Sequence, residues 1–167
     1  MAPVQVDPSH FSSDTAAFIR LLHRHSVRYL IVGGEAVIFY GHARLTGDVD
    51  FFFDPSSENA ERLFQALIDF WDGQVPGIAS ATELAEPGLV VQFGVPPNRI
   101  DLINFIEAVS FEEAWQSRVT VVMDDGDGCS LQFIGLETLI RNKAALNRPK
   151  DVDDLEYLRS ASANRSP

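Results

Sequence analysis

The run Asp48-Val49-Asp50-Phe51-Phe52-Phe53 places two carboxylates inside the most aromatic stretch of the chain. Alternation along a strand puts Asp48 and Asp50 on one face with Phe52, and Val49, Phe51 and Phe53 on the other. A strand that is apolar on both faces is a central one, so the two acids emerge side by side at one end of a sheet. Like charges held that close are unfavourable without compensation. A divalent ion bound through oxygen alone, magnesium or manganese, is the usual compensation. Two acids solvated where a strand begins is the plain alternative. A third acid, Asp101, stands between Ile100 and Leu102 in "NRIDLINF", again inside an apolar strand. If that strand lies beside the first, three carboxylates converge. That is enough for two metal ions about 4 Å apart, the clamp used for in-line phosphoryl or nucleotidyl transfer. A purely structural pairing of Asp101 with Arg99 or Arg118 is the alternative.

Two further features bear on the same chemistry. Gly33 and Gly34 close an apolar run and open a short helix, which makes either an anion site of free N–H groups or simply a tight strand-to-helix turn. Lys143 follows Leu136, Leu139 and Ile140 by seven, four and three residues, so it falls on the inward stripe of its helix. An ammonium there needs a partner, a route to solvent, or a phosphate to meet. Methionine at this position would suit the stripe and should cost little stability. Asp151 and Asp154 have the spacing to cap the last helix.

These residues must be positioned by a fold whose order can be read from patterning. The segment "SSDTAAFIRLLHRH", residues 12–25, is amphipathic and capped, a helix. "RYLIVGG" is a buried strand, "GEAVIFYGH" a short helix, "DVDFFFD" a strand and "SSENAERLFQALIDFW" a capped helix. "GLVVQFGVPPNRIDLINF" reads as two strands around a Pro-Pro-Asn turn, and "FEEAW" as a turn or two of helix. "RVTVVMDDGDGCSLQFI" is a hairpin whose Asp-Gly turn lacks the spacing of a calcium loop. Helices over 135–147 and 151–160 are separated at Pro149. The segment 72–87 has no assignable pattern. This order makes an α+β domain over 1–167, with loose ends at 1–10 and 161–167.

Composition sets outer limits. The chain has 167 residues and a net charge of −11, which disfavours broad binding to nucleic acid. Cations nevertheless cluster, at Arg141, Lys143, Arg148 and Lys150 and again from Arg20 through His23, Arg24 and His25 to Arg28. A single cysteine, Cys129, suits a reducing cytoplasm. There is no signal-peptide pattern and no apolar run of membrane-spanning length, so the expectation is a cytoplasmic protein with no membrane partner.

In their order and spacing, Gly33-Gly34, then Arg44, Thr46, Asp48 and Asp50 (Arg-x-Thr-x-Asp-x-Asp), then Asp101 resemble the signature of the nucleotidyltransferase superfamily that includes DNA polymerase beta, in its minimal bacterial form. The tail "LIRNKAALNRPKDVDDLEYL" is similar to the C-terminal element of a subgroup that includes abortive-infection toxins. The resemblance implies a nucleotidyltransferase-like fold, a small mixed sheet flanked by helices. It also implies a nucleoside triphosphate as substrate and an acceptor hydroxyl on a small molecule, tRNA or protein. Asp48 and Asp50 would hold two Mg2+ (or Mn2+) ions with the triphosphate, and Asp101 would bind one ion or act as base. Gly33, Gly34, Arg44, Thr46 and Lys143 would meet the nucleotide, with Lys150, Asp151 and Asp154 behind them. Many active members carry a serine beside the first glycine, where this chain has Gly34 and Glu35. An acid at that point sets up the alternative of a degenerate nucleotide- or partner-binding module, such as a toxin–antitoxin component. Neither the acceptor nor the oligomeric state is written in the sequence.

Overall fold

The computed structural model describes residues 4–165. Among them, seven strands form one mixed sheet: β1 (Gln5–Val6), β2 (Tyr29–Val32), β3 (Asp48–Phe53), β4 (Val90–Phe93), β5 (Arg99–Ile103), β6 (Val119–Met123) and β7 (Ser130–Phe133). Their order across the sheet is β1-β6-β7-β2-β3-β5-β4. The helices are α1 (Ser13–Arg24), α2 (Gly33–Phe39), α3 (Ser57–Phe70), α4 (Ala81–Leu84), α5 (Phe111–Gln116), α6 (Leu136–Leu146) and α7 (Pro149–Arg165).

The two strands that carry the acids are neighbours. β3 runs antiparallel to β2 and parallel to β5, with Asp48 level with Arg99 and Asp50 level with Asp101. Both faces of β3 are covered, as its composition demands. Phe51 meets Phe18 of α1 edge to face at 5.4 Å, and on the acid-bearing face Phe52 meets Phe111 of α5 at 5.2 Å. β2 is buried along its whole length.

The ends carry more structure than their composition suggests. Of the segment 1–10, expected to be loose, Gln5–Val6 pairs in parallel with β6 and Asp7 caps a 3₁₀ turn at Pro8–His10. The pairing satisfies backbone groups that would otherwise leave β6 as an open sheet edge, through Val122 N–H to Val4 O at 2.9 Å and Asp124 N–H to Val6 O at 2.9 Å. At the other end α7 continues through Arg165, whose guanidinium lies over the Tyr40 ring at 5.2 Å, and Ser162 hydrogen-bonds Glu137. Residues 1–3 and 166–167 lie outside the described residues. Pro149 does not separate two helices but opens α7 as its first residue, where its missing N–H costs nothing. The break is made by Asn147, left-handed at φ 49°, which caps α6. Within 72–87, Val75, Ile78, Ala81 and Leu84 are buried, and the last two belong to α4.

α7 is fastened to α2 at a point where only glycine fits. Gly41 has φ +105°, and a Cβ there would lie 2.6 Å from the Tyr157 hydroxyl, which belongs to a ring stacked on His42 at 4.7 Å. Gly73 has nearly the same backbone, φ +107°, with nothing within 4 Å of a Cβ. Both alanine substitutions should incur a backbone penalty of about 1–3 kcal/mol, and Gly41→Ala must also push Tyr157 off His42. Thermal melts should therefore show a larger drop for Gly41→Ala than for Gly73→Ala. Equal drops would mean that the Tyr157 contact contributes nothing to docking α7.

Candidate active site

Because β3 and β5 are parallel and in register, residues two apart on each project to one face. Asp48, Asp50 and Asp101 therefore converge, with one carboxylate oxygen of each within 4.8 Å of the others. The neighbouring glycines make room for them. A Cβ on Gly33, which has φ +64°, would sit 2.1 Å from Asp50 Oδ2, and one on Gly34 would sit 2.8 Å from Thr46 Oγ1 and 3.1 Å from Arg44 Nη2. The glycine pair thus lets the backbone approach the acids closely. α2 itself has only seven residues. Thr46 Oγ1 in turn donates towards the Asp48 backbone carbonyl at 3.2 Å and Asp48 Oδ1 at 3.3 Å.

Arg99 enters this cluster from the same strand as Asp101. Its Nη2 donates to Asp48 Oδ2 at 2.6 Å and to Asp101 Oδ2 at 3.0 Å, and its Nε donates to Asp101 Oδ1 at 2.8 Å. Gln92 Nε2 adds a bond to Asp101 Oδ2 at 3.2 Å. The hydrogen bonds to Asp101 lead in holding the guanidinium more firmly protonated than usual. Among the described residues no guanidinium hydrogen-bonds Asp50. Burial, then the charges of Asp48 and Asp101, push its carboxyl up to about 7, and the charge of Lys143 only partly offsets them. An oxygen-only set of three carboxylates, one of them driven towards neutrality by burial and by the charges of the other two, suits a hard divalent cation.

A second network stands behind the first. Lys143, 2% exposed, is held between Asp151 and Asp154, which are 0% and 1% exposed, at 3.0 and 3.2 Å. Asp151 also accepts from the backbone N–H of Arg148 at 3.0 Å and from its side-chain Nε at 2.7 Å. It therefore does part of the capping that its spacing predicts. Burial works against its charge, but the hydrogen bonds from Arg148 and Lys143 outweigh it and bring the carboxyl down to about 2. Asp154 caps nothing; it holds Arg44, through Nε at 3.0 Å and Nη2 at 3.1 Å. The expectation that methionine could replace Lys143 at little cost is overturned by this geometry. It would remove the buried cation that both carboxylates share and leave each with a single guanidinium partner, a loss of about 3–5 kcal/mol.

The two networks share one cleft of about 370 Å³, lined by Gly33, Gly34, Arg44 to Asp48, Asp50, Arg99, Asp101, Lys143, Arg148 and Lys150. Every nucleotide-contacting candidate from the sequence is on that wall, with Asp151 and Asp154 behind it. Glu35 is not. Its carboxylate hydrogen-bonds His10 at 2.7 Å and lines a separate hollow with Val6, Ile38 and Phe133. The acid next to the glycines in sequence is thus not an acid in the cleft. Arg99 and Arg148 are the cleft residues whose position the sequence reading underweighted. Arg99 was legible, since it precedes Asp101 by two and so shares its face.

This architecture has a counterpart. The family model described as "Nucleotidyltransferase of unknown function (DUF6036)" matches residues 13–160. The chain belongs to this nucleotidyltransferase family. The match takes in both networks and every strand but β1, and the fold is the α+β, nucleotidyltransferase-like fold of a mixed sheet flanked by helices. No curated protein matches the chain. Among the described residues, no helix is long and apolar enough to cross a membrane.

The electrostatics of this nucleotidyltransferase-family cleft can be tested without substrate. Asp50 has a folded pKa raised from 3.8 to about 7, so the native state binds the extra proton between those values. The stability this contributes is fully present below the unfolded pKa and lost as pH rises through 7. Asp50→Asn should therefore melt higher than wild type at pH 8 in chelator, by about 10 °C for roughly 4 kcal/mol. The difference should vanish near pH 4. A gain of equal size at both pH values would show that charge is not its cause.

Proposed function

We propose that the protein is a metal-dependent nucleotidyltransferase that moves a nucleoside monophosphate from a nucleoside triphosphate to an acceptor hydroxyl. The observation that carries this is the juxtaposition of Asp48, Asp50 and Asp101 with a wall of five cations, Arg44, Arg99, Lys143, Arg148 and Lys150, in one cleft. The three acids would hold Mg2+ or Mn2+. Bound there, a divalent ion would offset the repulsion between these carboxylates and the phosphate oxygens of the substrate. Arg44, Lys143 and Arg148, each anchored by an acid of α7, would neutralise the triphosphate. The acceptor oxygen would bond to the α-phosphorus as the bond to the β-phosphate bridging oxygen breaks and pyrophosphate leaves. Asp101 would take the hydroxyl proton, or bind the ion that activates the acceptor oxygen. The cations are fixed before the substrate arrives, so little reorganisation is needed as charge moves to the leaving group.

A second reading, a module that binds nucleotide without transferring it, draws on one observation. Arg99 already neutralises Asp48 and Asp101, as a site that has lost its ions would require. The support that Glu35 lent this reading is gone, because that side chain faces His10. No feature of the cleft favours a toxin–antitoxin role over any other acceptor.

A thermal-shift experiment separates the two. Ligand that binds only the folded state stabilises by RT ln(1 + [L]/Kd), about 2.7 kcal/mol at a hundredfold excess, or roughly 5 °C for a domain of this size. Mg2+ with a nucleoside triphosphate should give such a rise, and either alone clearly less. Asp48→Asn should abolish the synergy, and labelled nucleotide should be transferred to a component of a cell extract. A shift with triphosphate that is indifferent to Mg2+ and to Asp48→Asn, without transfer, would instead establish the binding module.

A further inference from the structure

Beside the charged cleft lies a second chamber of about 360 Å³, lined by Val32, Val90, Ile103, Phe105, Ile106 and Leu146 and reached past Gly33, Asp50, Lys143 and Arg148. It lies on the acid-bearing face of the sheet, since Ile103 follows Asp101 by two on β5. The four residues at its mouth also line the charged cleft. A ligand anchored by phosphates among the cations therefore has one adjoining space for its uncharged end, and that space is apolar and within the size of a small-molecule site. We infer that this chamber is the seat of the nucleobase, and that Phe105 is the surface on which the base stacks. The inference rests on the nucleotidyltransferase reading above.

Three observations single out a flat heteroaromatic ring as the occupant. Phe105 is 59% exposed, although a large aromatic ring is ordinarily driven into the core. Val90, on the pairing strand opposite Ile103, is 60% exposed at the same chamber. An aliphatic chain would be served by these groups alone, but the chamber also carries Asn142, 4% exposed, whose Nδ2 is fixed by donating to the Glu107 carbonyl at 3.0 Å. Among the described residues, no hydrogen bond occupies its Oδ1. A fixed carboxamide in the wall of an apolar hollow, with its oxygen unengaged, suits the N–H edge of a base, and every nucleobase offers such a donor at a pairing edge. The chamber does not touch Asp101, the acid assigned to the acceptor, so its occupant is the nucleotide rather than the acceptor. Base-on-aromatic stacking is tolerant of base identity, so all four common bases should enter, with Asn142 setting a modest preference.

The test compares each of the four ribonucleoside triphosphates with inorganic tripolyphosphate, all with Mg2+, by calorimetry on wild type and Phe105→Ala. Tripolyphosphate fills the charged cleft but has nothing for the chamber. At least one nucleoside triphosphate should bind wild type about tenfold or more tighter than tripolyphosphate. Phe105→Ala should remove about tenfold of that affinity and leave tripolyphosphate unchanged, which also shows the variant to be folded. Equal binding of nucleotide and tripolyphosphate by wild type, or a variant that weakens both alike or neither, overturns the assignment while leaving the phosphate site standing. Failure of wild type to bind any of the five ligands removes the nucleotidyltransferase reading and this inference together.

Discussion

Lys143 lies in the interior with an acid on either side, Asp151 at 3.0 Å and Asp154 at 3.2 Å. Three ionised groups taken out of water are costly individually, and their attraction offsets that cost only when the geometry is good and the remaining lone pairs are used. Here they are used. Asp151 also takes Arg148 and Asp154 also takes Arg44. The two acids of α7 thus fix three cations that come from three different parts of the chain: the loop before β3, α6, and the turn between α6 and α7. A hydrophobic replacement of the whole cluster would hold the helices together as well or better. What it would not do is present three aimed positive charges to a cleft. The cluster is better understood as a support for charge in the site than as a source of stability.

The same dependence runs through the sheet. The convergence of Asp48, Asp50 and Asp101 requires that β3 and β5 be adjacent, parallel and paired with Asp50 opposite Asp101. A slip of one residue would turn Asp101 to the face packed by α1 and bring Ile100 or Leu102 into the cleft. Register is held against that slip by burial: Ile100 and Leu102 are buried, as are Phe51 and Phe53 beside them. Hydrophobic burial on one face thereby fixes carboxylate geometry on the other. Gly33 completes the arrangement at the first residue of α2, where any side chain would strike Asp50.

Much of this was written locally. Strand alternation gives the shared face of Asp48 and Asp50, and caps and periodicity give α1, α3 and α6. The inward position of Lys143 follows from its helical stripe. Its partners follow from a stripe too, since Asp151, Asp154, Leu155 and Leu158 are the buried residues of α7, spaced as one helical face. Two acids on such a face announce a buried network. What was not legible is what depends on direction rather than spacing. Glu35 is adjacent to Gly34, yet each step along a helix turns about 100°, and that turn carries it to His10. The segment 72–87 hid its buried residues at intervals of three, 75, 78, 81 and 84, in a region where only Ala81–Leu84 is helical.

A net charge of −11 and a cleft for polyphosphate are compatible because electrostatics in salt water is short-ranged. With a Debye length of about 8 Å at physiological ionic strength, acids elsewhere on the surface weaken little of the attraction felt inside the cleft. There, five cations stand against the three carboxylates of the cleft and the two, Asp151 and Asp154, behind it, and a divalent ion held by the three would tip the balance to positive. The balance reverses outside. A compact anion needs only the cleft, whereas a long phosphate backbone must also run over an acidic exterior, and each step there opposes binding. Local positive charge within a negative whole therefore acts as a filter on ligand size. On the proposed reading it would admit a triphosphate by the contacts it makes and would disfavour nucleic acid by the contacts needed beyond them.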